Sequence, residues 1–151
     1  MMSRDPILGD ITVDDGTFSA QTTVGGRPVS IQIDLDDVAQ DAALGFARSV
    51  VECVDSHLQA ALHSAVRDLL GTYNDGWRSY IECDEAGNQT EVTNPALSPA
   101  EFTGNLVLQD ITIRGDTCCD FVFGDGGMFA GHAVIAVSLD ACSSWHAELF
   151  G

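Results

Sequence analysis

The sequence contains no lysine, and arginine supplies all six of its basic residues against 23 aspartates and glutamates, for a formal net charge of −17 over 151 residues. A nucleic-acid-binding surface is therefore not expected, because neutralising phosphates needs clustered cations. Polybasic attachment to an anionic membrane is excluded on the same ground. No apolar run approaches the about 20 residues of a membrane-spanning helix, so no membrane partner is expected. Met1 to Asp10 holds one arginine and no apolar stretch, so no secretory signal is read there.

Cysteine is sparse and unpatterned. Cys53, Cys83, Cys118, Cys119 and Cys142 are odd in number and form no CxxC pair. Cys118 and Cys119 are adjacent in an expected strand and should point to opposite faces, which argues against a shared metal or a bond between them. They read as small apolar core residues, and with the missing leader they suggest a reducing, cytoplasmic compartment.

Catalytic signatures are also absent. There is no HExxH, no GxxxxGK[ST], no DxDxDG calcium loop and no GxSxG. His57 and His63 lie about 240° apart on an expected helix and cannot share a ligand. His146 with Cys142 makes at most two ligands, which is not a metal site. No metal and no cofactor are expected. His132 sits in an apolar stretch, where a hydrogen bond to a carboxylate or a carbonyl would satisfy it, and Asp125 or Asp120 could supply one.

What is present is a foldable pattern, with 45% apolar residues arranged periodically. Ile7 to Leu35 reads as a β-meander. Strands at Ile7–Val13, Thr17–Val24 and Pro28–Leu35 are separated by Asp14-Asp15-Gly16 and Gly25-Gly26. Val29, Ile31, Ile33 and Leu35 share one face, so the other is wet. Asp36 to Tyr73 reads as two helices, the first capped by Asp36 or Asp37, with a break near Val54–Asp55 and a stop at Gly71.

Asn74 to Pro99 reads as an irregular linker. Ser98-Pro99-Ala100-Glu101 then forms a capping box that starts a short helix ending at Gly104. The third block is β again: a strand through Leu106 to Ile113, another at Thr117–Phe123, and a long apolar one at Met128–Leu139. Gly124-Asp125-Gly126-Gly127 is the expected hairpin turn between the last two, and Trp145–Phe150 is an edge strand. The expected fold is a single α+β domain over residues 1–151, two antiparallel β-meanders flanking a central helical segment.

The acids fall in turns, at a strand-to-helix junction and in the linker. Asp14, Asp15, Asp34, Asp36, Asp37, Asp41, Asp75, Asp84 and Glu85 are the candidate partner-binding carboxylates, with Trp77 and Tyr80 beside them as aromatic anchors. An acidic surface steers a basic partner, and it also serves solubility.

Three stretches carry a family resemblance. Gly71 to Trp77 resembles the end of a helix in a bacterial domain-of-unknown-function family. Leu97-Ser98-Pro99-Ala100-Glu101-Phe102 is similar to its Leu-Thr/Ser-Pro-Glu-Glu-Phe segment. Phe123-Gly124-Asp125-Gly126-Gly127-Met128-Phe129-Ala130-Gly131-His132 resembles its Phe-Asp-Asp-Gly-Asp-Met/Leu-Phe-x-Gly-His stretch, with departures at Gly124 and Gly127 and, just beyond, at Ala133. Such domains lie near polymorphic toxin genes. The resemblance implies an immunity protein, not an enzyme, that neutralises a cognate basic toxin domain, of nuclease type by charge. It carries over no catalytic residue. The alternatives are a small enzyme with a site around His132 and Asp125, or a housekeeping domain.

Overall fold

The computed structural model describes residues 2–151. Four strands open the chain: β1 (Met2–Asp5), β2 (Gly9–Asp14), β3 (Thr17–Val24) and β4 (Arg27–Asp34). They form an antiparallel meander through the two expected Asp-Gly and Gly-Gly turns. Helix α1 (Gln40–Glu52) follows. Helix α2 (Val54–Ala65) runs through a π turn (Val66–Leu70) into α3 (Gly71–Gly76). A hairpin of β5 (Ser79–Cys83) and β6 (Gln89–Thr93) leads to α4 (Pro99–Asn105), and β7 (Val107–Arg114), β8 (Cys118–Gly124), β9 (Ala133–Ser138) and β10 (His146–Phe150) form a second meander.

The two meanders are not separate sheets. Parallel pairing of β4 with β7, Ile31 beside Ile111 and Ile33 beside Ile113, joins them in the order β1-β2-β3-β4-β7-β8-β9-β10. The period-2 pattern sets which face is covered. Val29, Ile31, Ile33, Ile111, Ile113, Phe121, Phe123, Val134 and Ala136 point under the helices and are buried. Ser30, Gln32 and Asp34 point to the open face. That face carries a depression of about 500 Å³ lined by Ser19, Ser30, Gln32, Asp110, Thr112 and Val122.

Helix α1 buries Ala43, Leu44, Ala47 and Val50. The next helix presents Ala61, Ala65, Leu69 and Tyr73, each four residues after the last. In an α-helix four residues overshoot a full turn by about 40°. The π turn at Val66–Leu70 rotates less per residue and takes back part of that drift, which keeps Tyr73 on the buried face.

Several boundaries differ from the sequence reading. β1 was not expected, and β2 begins at Gly9 rather than Ile7. The Asp5 carboxylate explains both: it accepts the Ile7 and Leu8 N–H groups at 2.9 and 3.0 Å, turning the chain between the two strands. Neither Asp36 nor Asp37 caps α1, which starts after Ala39. Both adopt left-handed backbone, φ 50° and 67°, to turn the chain off β4.

Gly71 does not stop the helix, which continues to Gly76. Residues 74–99 are not irregular throughout but contain the β5–β6 hairpin. Met128–Leu139 is not one strand: its first part is a loop and only Ala133–Ser138 pairs. The capping box is as expected, with Glu101 N–H donating to Ser98 Oγ and Ser98 N–H to Glu101 Oε1.

Candidate partner-binding surface

The eleven candidate residues occupy two places. β2, β4 and β7 end, and β3 and β8 begin, at one end of the sheet. Asp14 and Asp15 form the β2–β3 tip, Asp34 ends β4, Asp36 and Asp37 turn into α1, and Asp41 lies in the first turn of α1. All six are exposed. Among the described residues the Asp34 carboxylate accepts only the Thr17 hydroxyl, at 3.3 Å. Asp116, exposed in the β7–β8 turn, joins this rim.

Among the described residues no rim carboxylate forms an ion pair, and the nearest cation, Arg114, acts on Asp36 only through its field. Four of the six arginines are spent elsewhere in ion pairs: Arg4 with Asp10, Arg48 with Asp5, Arg67 with Asp68 and Arg114 with Asp120. Arg114 ends β7 next to Asp34, yet its guanidinium turns to Asp120 at 2.7 Å.

Asp75, Trp77, Tyr80, Asp84 and Glu85 lie at the other end, where β8 runs into β9. Trp77 is half-buried. Its ring packs on Phe129 at 5.4 Å and on His132 at 5.5 Å between centroids. It is therefore part of the wall from which the β5–β6 arm departs, whereas Tyr80 lies on the arm itself. Asn74 and Arg78 fasten the arm's base. The Asn74 amide exchanges two hydrogen bonds with the Leu97 backbone, at 2.9 and 3.2 Å. Arg78 donates to the carbonyls of Asn74 and Asn94, at 2.9 and 3.0 Å.

Beyond that base the arm is bare. Every residue of β5 is exposed, and in β6 only Val92 is half-covered. Tyr80 and Ile81 show 45% and 57% of their surface. Glu82 lies on the face of Tyr80 and Glu91 on the opposite face with Ile81, while Asp84 and Glu85 stand at the tip. Tyr80 donates its hydroxyl proton to Glu82 at 3.1 Å, and that carboxylate holds the phenol's pKa above its usual value. Asp84 closes the tip. Its carboxylate accepts the Asn88 side-chain and backbone N–H groups, which hold its pKa below the usual range.

His132 and Asp125 are close in the chain, but their polar atoms serve the backbone. Asp125 accepts the N–H groups of Gly127, Phe129 and Gly131 at 3.1, 2.8 and 2.9 Å. Burial pushes its pKa up, and these three donors together bring it below the usual value. The His132 Nδ1–H donates to the Phe129 carbonyl at 2.7 Å. The stretch around Asp125 is thus a loop wound about one carboxylate, rather than a simple hairpin turn.

A bacterial family described as "Uncharacterized protein conserved in bacteria (DUF2262)" matches residues 5–145. The chain belongs to that family. No curated protein and no solved structure matches it. In this DUF2262 chain the most specific motif, Phe123 to His132, builds the Asp125 loop that supports Trp77 and, through it, the base of the arm. His57 is half-buried on α2 and packs on Trp145, with desolvation lowering its pKa, while His63 is exposed. Among the described residues no three histidine, cysteine or acidic side chains gather as metal ligands. No helix is long and apolar enough to cross a membrane.

Proposed function

We propose that this chain is a non-enzymatic binding protein that captures a basic protein partner, in the manner of an immunity protein neutralising a cognate toxin domain. The observation that carries the reading is the β5–β6 arm. A two-stranded hairpin with no face to bury is marginal by itself. This one holds Tyr80 and Ile81 out among four carboxylates, which suits a partner offering an apolar cleft rimmed with lysine and arginine.

The acidic rim at the far end of the sheet adds long-range attraction. A field of one sign raises the encounter rate with an oppositely charged partner. A nuclease-type toxin fits this chemistry, because its nucleic-acid groove is basic, and covering that groove would block its substrate.

The test is reconstitution with the product of the gene adjacent to this chain's own. An equimolar mixture at low salt should elute as a 1:1 complex and suppress the partner's activity. The double variant Tyr80→Ala/Ile81→Ser should keep its fold and lose the complex. Elution as two separate species at low salt would refute the reading. A complex that the double variant retains would move the contact off the arm.

A further inference from the structure

Cys119 and Cys142 lie 23 residues apart in sequence, yet their sulfurs approach to 3.5 Å. Strand β8 places Cys119 on its covered face, fully buried. Cys142 comes from the β9–β10 connection, which is folded back over β8. Three features hold it there. The Ala141 N–H donates to the Thr117 carbonyl at 2.7 Å, tying the connection to the β7–β8 turn. The Cys142 N–H donates to Ser138 Oγ at 3.0 Å. The Asp140 carboxylate accepts the Ser144 N–H, the Ser144 hydroxyl and the Ser138 hydroxyl.

Ala141 and Cys142 also adopt left-handed backbone, φ 57° and 70°, which non-glycine residues rarely take. The connection is thus bent so that its one cysteine meets the buried one. Cys118, the neighbour of Cys119, points the other way, with its sulfur 3.9 Å from the Leu139 carbonyl. Cys53 and Cys83 are exposed and lie elsewhere, on the α1–α2 junction and on the arm.

We propose that Cys119 and Cys142 form a dithiol that a small-molecule disulfide of the glutathione class oxidises to an intrachain disulfide. Cys142, half-buried in a connection whose other residues are mostly exposed, is the attacking sulfur. It loses its proton to solvent, and its thiolate attacks one sulfur of the oxidant. The oxidant's S–S bond breaks, and the first small thiol leaves as a thiolate and takes up a proton. Cys119 then loses its proton and attacks the Cys142 sulfur of this mixed disulfide, and the second small thiol departs. The two cysteines lose two electrons and two protons, and the oxidant becomes two thiols. The Cys119 S–H···S contact favours the Cys142 thiolate, lowering that pKa while raising its own. Closing the bond needs the sulfurs to move together by about 1.5 Å, to the usual 2.05 Å or so.

The test uses the variant Cys53→Ser/Cys83→Ser, which removes the two exposed thiols and leaves three of the five cysteines. It is incubated with oxidised glutathione, quenched and mapped as peptides by mass spectrometry. The expected product has one free thiol, at Cys118, no retained glutathione, and a peptide pair joined through Cys119 and Cys142. Adding Cys119→Ser should trap glutathione on Cys142, because the resolving thiol is gone. Three free thiols after incubation, glutathione retained on Cys142 of the parent variant, or a link between Cys118 and Cys142 would each overturn the assignment.

Discussion

Asp125 shows how one side chain can fix a loop. Its carboxylate collects three backbone N–H groups that would otherwise be unpaired beneath the helices. The winding demands left-handed backbone at Gly126, Gly127, Ala130 and Gly131. At Gly126 it also demands closeness, since a Cβ there would overlap the Asn105 carbonyl oxygen at the end of α4. Gly126→Ala therefore meets two penalties, strain and collision, and should cost about 2 kcal/mol or more in urea unfolding. Asp125→Asn keeps the shape but turns an amide toward donors that want an acceptor. It should cost about 1.5–3 kcal/mol, the range for hydrogen bonds to a charged group. The sign of the pH dependence follows. Asp5 and Asp125 both titrate below the usual carboxylate range in the folded chain; the Leu8 N–H leads for Asp5, and the three loop donors overcome burial for Asp125. Their contribution is complete above the unfolded value of about 3.9 and is lost as pH falls through the depressed folded values. The urea midpoint of the parent should drop across that acid window, and Asp125→Asn should flatten the drop.

At the level of elements, what was legible in the sequence was local. The Asp15-Gly16 turn and the Ser98 capping box are satisfied within a few residues, so their signals survive whatever packs around them. The β4–β7 pairing joins residues about eighty positions apart, and no periodicity announces which edge meets which. Strand β1 went unseen because Met2–Asp5 has no apolar alternation; its place is set by Asp5 and by Arg48, which reaches across from α1 at 2.7 Å. The run from Met128 was misread for the opposite reason: Met128 and Phe129 are apolar because a buried loop holds them, not because a strand does. The arm was hidden because its residues are exposed on both faces and follow no burial period. For the candidate site, the acidic tips were legible as turns, but not that they split between two ends of one sheet. The same exposure makes a prediction about the arm. Replacing residues 79–93 by a short glycine-serine turn removes almost no buried surface, so the melting temperature should move by no more than about 2 °C, a shift worth about 0.5–1 kcal/mol at this size. A larger loss would mean that the arm props up the Trp77 wall. Strand β10 makes a second prediction. Its outer edge is occupied where Asp68 accepts the Ala147 N–H at 2.9 Å and Arg67 donates to the Trp145 carbonyl at 2.7 Å. Asp68→Ala opens that edge to another strand, and light scattering should report faster aggregation on mild heating.

Across the whole molecule, the lack of lysine becomes a physical property rather than a curiosity. Four arginines are tied into ion pairs and Arg78 is bound to two carbonyls, so the net charge of −17 is carried by carboxylates that face water with few neighbours of opposite sign. Gathering them on one compact surface costs free energy through self-repulsion, and the unfolded chain spreads the same charges apart. Salt shortens the reach of that repulsion from about 30 Å at 0.01 M to about 8 Å at 0.15 M. The folded chain should therefore become more stable as salt rises over this range, by about 1 kcal/mol, or about 2–4 °C in melting temperature. The ion pairs oppose this trend only weakly. Three of them have an arginine side chain more than a third exposed, and the Arg4–Asp10 pair is exposed on both sides, so each contributes little for salt to remove. Capture of a basic partner must respond in the opposite direction, because the same field that strains the fold speeds the encounter. Stopped-flow association should slow by about tenfold or more over the same salt range. Neutralising Asp14, Asp15, Asp34, Asp36 and Asp37 to asparagine should remove part of both effects together, raising low-salt stability while slowing association. A variant that gained stability with no change in association rate would leave the rim as a solubility device, and the arm as the sole point of attraction.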